Sequence, residues 1–237
     1  MNVAILVGGG RGVRFGGDRP KQFLELNGTP IIVHTLRQFE LSRQIDQVVV
    51  VLPAPEINFF QSLGDKFDLK KISRVVAGGE TRAQSVKSGL AAIEQAEVVA
   101  VHDAVRPLVT HDEIDRVVVA AAESGAAILV AAVSETIKEV KDNRVARTVA
   151  RADLRRALTP QSFHFDILKR AYEQLDQLES SGVEVTDDSF LVERLGVAVT
   201  LVEGNARNIK ITTPEDLAMA EALLHRRSAG VEAGKKE

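Results

Sequence analysis

The residues best equipped for chemistry stand directly behind the first apolar run, where Gly8-Gly9-Gly10-Arg11-Gly12-Val13-Arg14-Phe15-Gly16-Gly17 leads into Asp18-Arg19-Pro20-Lys21-Gln22-Phe23. Six of the ten residues from Gly8 to Gly17 are glycine, so main-chain N–H groups can close on an anion without side chains in the way. Arg14 and Lys21 add charge. The stretch reads as a phosphate cradle at the carboxyl end of a strand, the edge at which open parallel sheets bind ligands. Residues 1–21 hold Arg11, Arg14, Arg19 and Lys21 against the acid Asp18, a local +3 within a chain of net −3. Two familiar glycine motifs fail by count. A dinucleotide fingerprint started at Gly8 or Gly10 meets Val13 or Phe15 at its third position, and Gly12 to Gly17 is followed by Asp18-Arg19 where a Walker-type loop needs Lys and Ser or Thr.

Such residues need a rigid frame, and 237 residues with 45% hydrophobic and 27% charged side chains can build one domain without disulfide or structural metal. The absence of cysteine removes thiolate, redox and Cys–zinc chemistry and suits a reducing compartment, so a cytoplasmic location is expected. Net charge −3 and a pI near 6.0 give no basic field for nucleic acid. The apolar runs Val3–Val7 and Ala126–Val133 are too short for a signal peptide or a membrane span.

Short β-branched runs at Val3–Val7, Gln47–Leu52, Ser73–Ala77, Val98–Val101, Ala127–Val133 and Ala198–Val202 lack alternation, as strands covered on both faces do. Between them, Ile31, Ile32, Thr35, Leu36 and Phe39, then Val86, Leu90 and Ile93, then Ile114, Val117, Val118 and Ala121 follow helical spacing. Thr81, Thr110 and Thr213 stand as N-caps, the last before Pro214. The pattern predicts an α/β fold, doubly wound around a mostly parallel sheet, in one domain over 1–227. The last helix is expected over about Pro214 to Arg227, with a disordered tail over 228–237. Residues 133–153 break the rhythm: two alternating runs flank the turn-prone Asp142-Asn143, a hairpin arm inserted in the core.

Asp103 follows the Val98–Val101 run and so shares the glycine loop's edge, where a carboxylate suits a hard cation such as Mg²⁺ as readily as it caps a turn. The five histidines His34, His102, His111, His164 and His225 show no metal-ligand spacing.

The Gly-Gly-x-Gly-x-Arg stretch with Pro20-Lys21-Gln22-Phe23 resembles the signature of sugar and polyol-phosphate nucleotidyltransferases, which share a Rossmann-like fold, and is most similar to the 2-C-methyl-D-erythritol 4-phosphate cytidylyltransferases of isoprenoid biosynthesis. Four further segments follow in order: Gly78 to Val86, His102 to Pro107, Ala157 to Gln161 and Asn208 to Leu217. The likeness spans about Asn2 to Leu224. It implies transfer of CMP from CTP to the polyol phosphate with release of pyrophosphate and use of Mg²⁺. It also implies a role for each matched residue. Arg14 and Lys21 would neutralise the α-phosphate, with Gly8, Gly9, Gly10 and Gly12 as backbone cradle. Gly78, Gly79 and Ser85 would read the base. Asp103 would lie beside metal and acceptor, with Ala104. Thr136, Arg151, Thr159, Thr186 and Lys210 would bind the acceptor, Arg151 and Lys210 being the cations at its phosphate. Arg106 would reach the partner subunit's acceptor pocket, in a homodimer joined through the arm. Two positions depart from that family: Gly8-Gly9 stands where two alanines are usual, and Ala150 where Asp precedes the arginine. A ribitol 5-phosphate cytidylyltransferase and a nucleotide-binding module without catalysis stay open as alternatives.

Overall fold

The computed structural model describes residues 1–9 and 20–233. In chain order it holds β1 (Val3–Val7), a 3₁₀ turn at Lys21–Phe23, the small pair β2 (Glu25–Leu26) and β3 (Thr29–Pro30), α1 (Ile31–Leu41), β4 (Gln47–Leu52), α2 (Ile57–Phe67), β5 (Ile72–Ala77), α3 (Arg82–Ala91) and β6 (Val98–Asp103). Then come α4 (His111–Ser124), β7 (Ala126–Ala132), the hairpin β8 (Ile137–Lys141) and β9 (Arg144–Val149), β10 (Arg155–His164), α5 (Phe165–Tyr172), α6 (Leu175–Ser180), α7 (Asp188–Glu193), β11 (Thr200–Glu203) and α8 (Pro214–Ala233).

Seven strands form one sheet in the order β11-β7-β10-β6-β1-β4-β5. β1 lies parallel to both β4 and β6, so the chain winds outward on one side of β1 and then on the other. That reversal beside the first strand opens a crevice at the carboxyl ends of β1 and β6. The unalternated strands are buried on both faces, as their sequence requires: Ala4, Leu6, Val48 and Val50 pack with α1 and α4, whereas Ile5, Val49, Val51 and Val99 pack with α3, α5 and α7. All the helical positions read from spacing on α1 are buried.

Two local expectations differ. β10 is antiparallel between β6 and β7, in the middle of the sheet, where Arg155, Arg156 and Pro160 gave no strand signal. Its register is interrupted between Ala157 and Gln161, so Pro160 sits where its missing N–H breaks no regular ladder. α8 continues to Ala233 rather than ending near Arg227, so residues 228–233, expected in a disordered tail, carry helical backbone. The hairpin forms as expected, with Asp142 and Asn143 at φ 49° and 58°, the left-handed pair a tight two-residue turn demands.

Candidate active site

Asp103 ends β6 in register with Val7 at the end of β1, so the glycine loop and the acid leave the sheet side by side. The Gly8 N–H donates to the Val51 carbonyl (2.8 Å), and the Ala104 N–H to the Val7 carbonyl (3.0 Å). A Cβ on Gly8 would lie 2.7 Å from Leu52 Cδ2 and 3.4 Å from the Val51 carbonyl oxygen, so a side chain there would have to displace the buried Leu52. Ser85, fully buried, donates its hydroxyl to the Thr81 carbonyl (2.9 Å). A Cβ on Gly9 or Gly78 would approach that hydroxyl at 2.8 or 2.6 Å. The two glycine loops therefore meet on Ser85.

Three cations converge on the buried Asp103 carboxylate. Arg82 Nε donates to Oδ1 (3.0 Å), while Arg106 Nε and Lys210 Nζ reach Oδ2, each at 3.1 Å. Burial alone would raise this carboxyl's pKa, but Arg82, Lys210 and Arg106 outweigh it and hold it far below the usual carboxylate range. Arg82 also donates through Nη2 to Asp188 (2.8 Å), a fully buried acid that accepts the Tyr172 hydroxyl as well. Burial opposes the charge on Arg82, yet Asp188 and Asp103 raise its pKa overall.

Beneath this cluster, the Thr159 hydroxyl accepts the Asp103 N–H (3.3 Å) and pairs with His102 Nδ1 (2.9 Å), and His102 Nε2 faces the Arg106 carbonyl (3.3 Å). One tautomer satisfies all three contacts, with the proton on Nε2 and Thr159 as donor. Burial drives the His102 pKa down to about 3, so the ring is neutral. Gln161 fixes the far wall: its Oε1 accepts the Asp188 and Ser189 N–H groups (both 3.0 Å), and its Nε2 donates to Asp187 (2.9 Å).

Two clefts share this cluster. A small one of about 60 Å³ is lined by Gly8, Gly9 and Lys21, with Arg82, Asp103 and Lys210 on its other side. The second, about 270 Å³, is lined by Thr159, Gln161, Thr186 and Asp187 and again by Arg82, Asp103 and Lys210. The anion edge inferred from the glycines thus opens onto a second, polar chamber. Among the described residues no three His, Asp or Glu side chains cluster as metal ligands. A carboxylate offers about four lone-pair positions, of which the three cations account for three. Asp103 therefore fits a cation that takes its other ligands from substrate phosphates, and does not fit a protein-made cage.

The match to known proteins decides among the remaining candidates. Residues 2–226 match the model of the 2-C-methyl-D-erythritol 4-phosphate cytidylyltransferase family. The chain belongs to that family. The cytidylyltransferase of Syntrophus aciditrophicus (strain SB) is 43% identical over 225 residues, covering 94% of this chain and 95% of that protein. That of Bacteroides fragilis is 43% identical over 224 residues, covering 94% and 99%. Among solved structures, the 4-diphosphocytidyl-2C-methyl-D-erythritol synthase of Anaerococcus prevotii superposes with a TM-score of 0.83 at 30% identity, over 94% of this chain and 96% of that one. The mostly parallel sheet with flanking helices is the α/β fold that the alternation of apolar runs and helical spacing predicts.

Within the cytidylyltransferase frame, the expected residues divide three ways. Gly8, Gly9, Lys21, Asp103, Thr159, Thr186 and Lys210 line the two clefts, and Gly78, Gly79 and Ser85 form the neighbouring loop. Gly10, Gly12 and Arg14 lie outside the described residues. Thr136 and Arg151 stand exposed at the foot of the arm and line neither cleft, Arg151 bonding the Ser134 carbonyl. Arg106 lines the polar chamber as well, where it pairs with Asp103 (3.1 Å) and donates to the Asn208 carbonyl (2.9 Å), its side chain 14% exposed. Ala104 is fully buried, its N–H spent on Val7 and its carbonyl on the Thr35 hydroxyl (2.8 Å), so it floors the site. Sequence reasoning missed Arg82, Asp188, Gln161 and Tyr172. Arg82 and Gln161 lay inside motif segments, and Thr81 as N-cap puts Arg82 at the first helical position, but only the fold brings these side chains and Asp188 together around Asp103.

Proposed function

We propose that this cytidylyltransferase transfers CMP from CTP to 2-C-methyl-D-erythritol 4-phosphate. The observation that carries the reading is the Arg82, Arg106 and Lys210 cluster on Asp103, shared by a glycine-lined cleft and a polar chamber. Bringing one phosphate to another is opposed by their charge, so the barrier is largely electrostatic and preorganised cations lower it. CTP takes the glycine side, its base against Gly78, Gly79 and Ser85 and its α-phosphate by Lys21 and Arg14 with the Gly8, Gly9, Gly10 and Gly12 amides. The acceptor takes the chamber of Thr159 and Thr186, its phosphate facing Lys210. An acceptor phosphate oxygen attacks the α-phosphorus, the new P–O bond forms, and the bond to the bridging oxygen breaks, that oxygen leaving with its electron pair on pyrophosphate. No general base is needed, because the nucleophile is already ionised. Asp103 with substrate phosphate oxygens would hold Mg²⁺, which supplies charge neutralisation at the phosphates.

The arm supports a homodimer. Val140 and Val145 face each other across the ribbon, each 62% exposed, and a two-stranded ribbon needs a partner surface. Thr136 and Arg151, which line neither cleft of their own chain, would complete the site of the twin chain. A cysteine-free chain suits the reducing cytoplasm, which we take as its location.

Pyrophosphate release measured with CTP or UTP against 2-C-methyl-D-erythritol 4-phosphate and ribitol 5-phosphate tests the assignment. Turnover confined to CTP with the erythritol phosphate is expected, and faster turnover of ribitol phosphate overturns the acceptor. CTP binding without turnover of either would mark a nucleotide-binding module. Light scattering of a Val140→Lys, Val145→Lys double variant should give half the wild-type mass.

A further inference from the structure

Asp103 receives three cations, and among the described residues Arg82 is the one of them that also pairs with a second carboxylate. Arg106 sits three residues along the same turn and Lys210 on a partly exposed loop, its side chain 36% exposed. Arg82 is gripped at both ends of its guanidinium, by Asp103 at 3.0 Å through Nε and by Asp188 at 2.8 Å through Nη2. Asp188 has no exposure, and it is fixed in turn by Tyr172, the chain's one tyrosine, and by Gln161 on β10 through its own N–H. Burial and Asp188 both raise the Tyr172 pKa, which keeps its proton on the bond to the acid.

We infer that Arg82 is a positioning residue for the transfer, clamped by the Asp188–Tyr172 pair so that it fixes the Asp103 carboxylate between the two clefts. A buried acid carries a desolvation penalty, and apolar residues of equal volume often serve stability as well or better. The acid's placement is accounted for by orientation. The guanidinium suits the task because its planar fork serves two carboxylates in two directions at once, which the compact ammonium of lysine does not do. The chain Tyr172–Asp188–Arg82–Asp103 also ties the first residue of α3, next to the base loop, to the start of α7, next to Thr186, so nucleotide and acceptor sides share one anchor.

The inference rests on the role proposed above for Asp103, and a double-mutant cycle separates the two. The kcat of pyrophosphate release at saturating CTP and acceptor is measured for wild type, Arg82→Lys, Asp103→Asn and the double variant, with both KM values and the thermal midpoint. Arg82→Lys is expected to lower kcat by about 30-fold with KM values within about threefold, and to cost less than about threefold once Asp103 is Asn. An equal loss in both backgrounds, or full activity with lysine, overturns the inference while leaving Asp103 in place. An Asp103→Asn enzyme with wild-type kcat overturns the reading of Asp103 and the inference with it. Should Arg82→Lys fail to fold, Tyr172→Phe decides, because it keeps every charge. A kcat about three- to tenfold lower at unchanged KM supports the clamp, and a lowered midpoint with unchanged kcat refutes it.

Discussion

Thr159→Val tests whether this hydroxyl belongs to the acceptor or to the scaffold. Valine keeps the shape of threonine and exchanges the hydroxyl for a methyl; that hydroxyl belongs to a residue 4% exposed and is already used by the Asp103 N–H at 3.3 Å and His102 Nδ1 at 2.9 Å. The substitution strands both buried groups. Each stranded polar atom costs about 1–3 kcal/mol, and the longer amide contact belongs at the weak end, so about 2–4 kcal/mol of stability should be lost in all. In a domain of this size that is roughly 4–16 °C in Tm. The control is Thr159→Ser, which keeps the hydroxyl and loses one methyl, about 1 kcal/mol. Urea unfolding followed by circular dichroism at neutral pH gives both values. If the hydroxyl holds His102 and Asp103, the valine variant is the less stable by well over the methyl's worth, and its kcat falls because Asp103 shifts. Equal stability of the two variants, with a raised acceptor KM for valine alone, would place the hydroxyl on the substrate and refute the reasoning.

Lys210→Met should lower kcat by about 100-fold or more in steady-state assays, since preorganised charge at a phosphoryl centre is worth that much, whereas thermal stability changes little because the side chain is 36% exposed. Gly78→Val brings a branched side chain to where a single Cβ already lies 2.6 Å from Ser85 Oγ, so the CTP KM should rise by about tenfold or more with kcat largely kept. Stability should also fall with acid. His102 has its pKa lowered from 6.5 to about 3 by burial, so the unfolded chain binds the extra proton between those values, and unfolding is about 2 kcal/mol easier at pH 5 than at pH 7. His34 is lowered by burial too and adds to the same slope. Asp103, depressed by its cations, contributes stability that is lost only below the ordinary carboxylate range. A urea midpoint flat from pH 7 to pH 5 would contradict the buried neutral ring.

The sheet's winding was legible because its strands are doubly covered, and double covering writes itself as unbroken Val and Ile runs such as Gln47–Leu52. Helix starts were legible for an equally local reason: Thr81 and Thr110 accept the N–H three residues on, at 3.1 Å in each case. β10 was not, because Arg155, Arg156 and Pro160 oppose a central strand locally and are accommodated by a register shift that depends on both neighbours.

The amino-acid sequence determined by itself what is set within a few neighbouring residues: a glycine loop free to face an anion, an acid at the end of a buried strand, capped helices, and a hairpin with two left-handed residues at its turn. Ordered motif residues along the chain also sufficed for the family. Tertiary structure alone decided what each charge does. Arg82 and Asp103 are separated by 21 residues and Arg82 and Asp188 by 106, and nothing local distinguishes these ions from solvated surface charges. Only when the sheet stacks their strands and helix ends into one buried corner does water leave, and there the pairing, the orientation of Asp103 and the neutral state of His102 become obligatory.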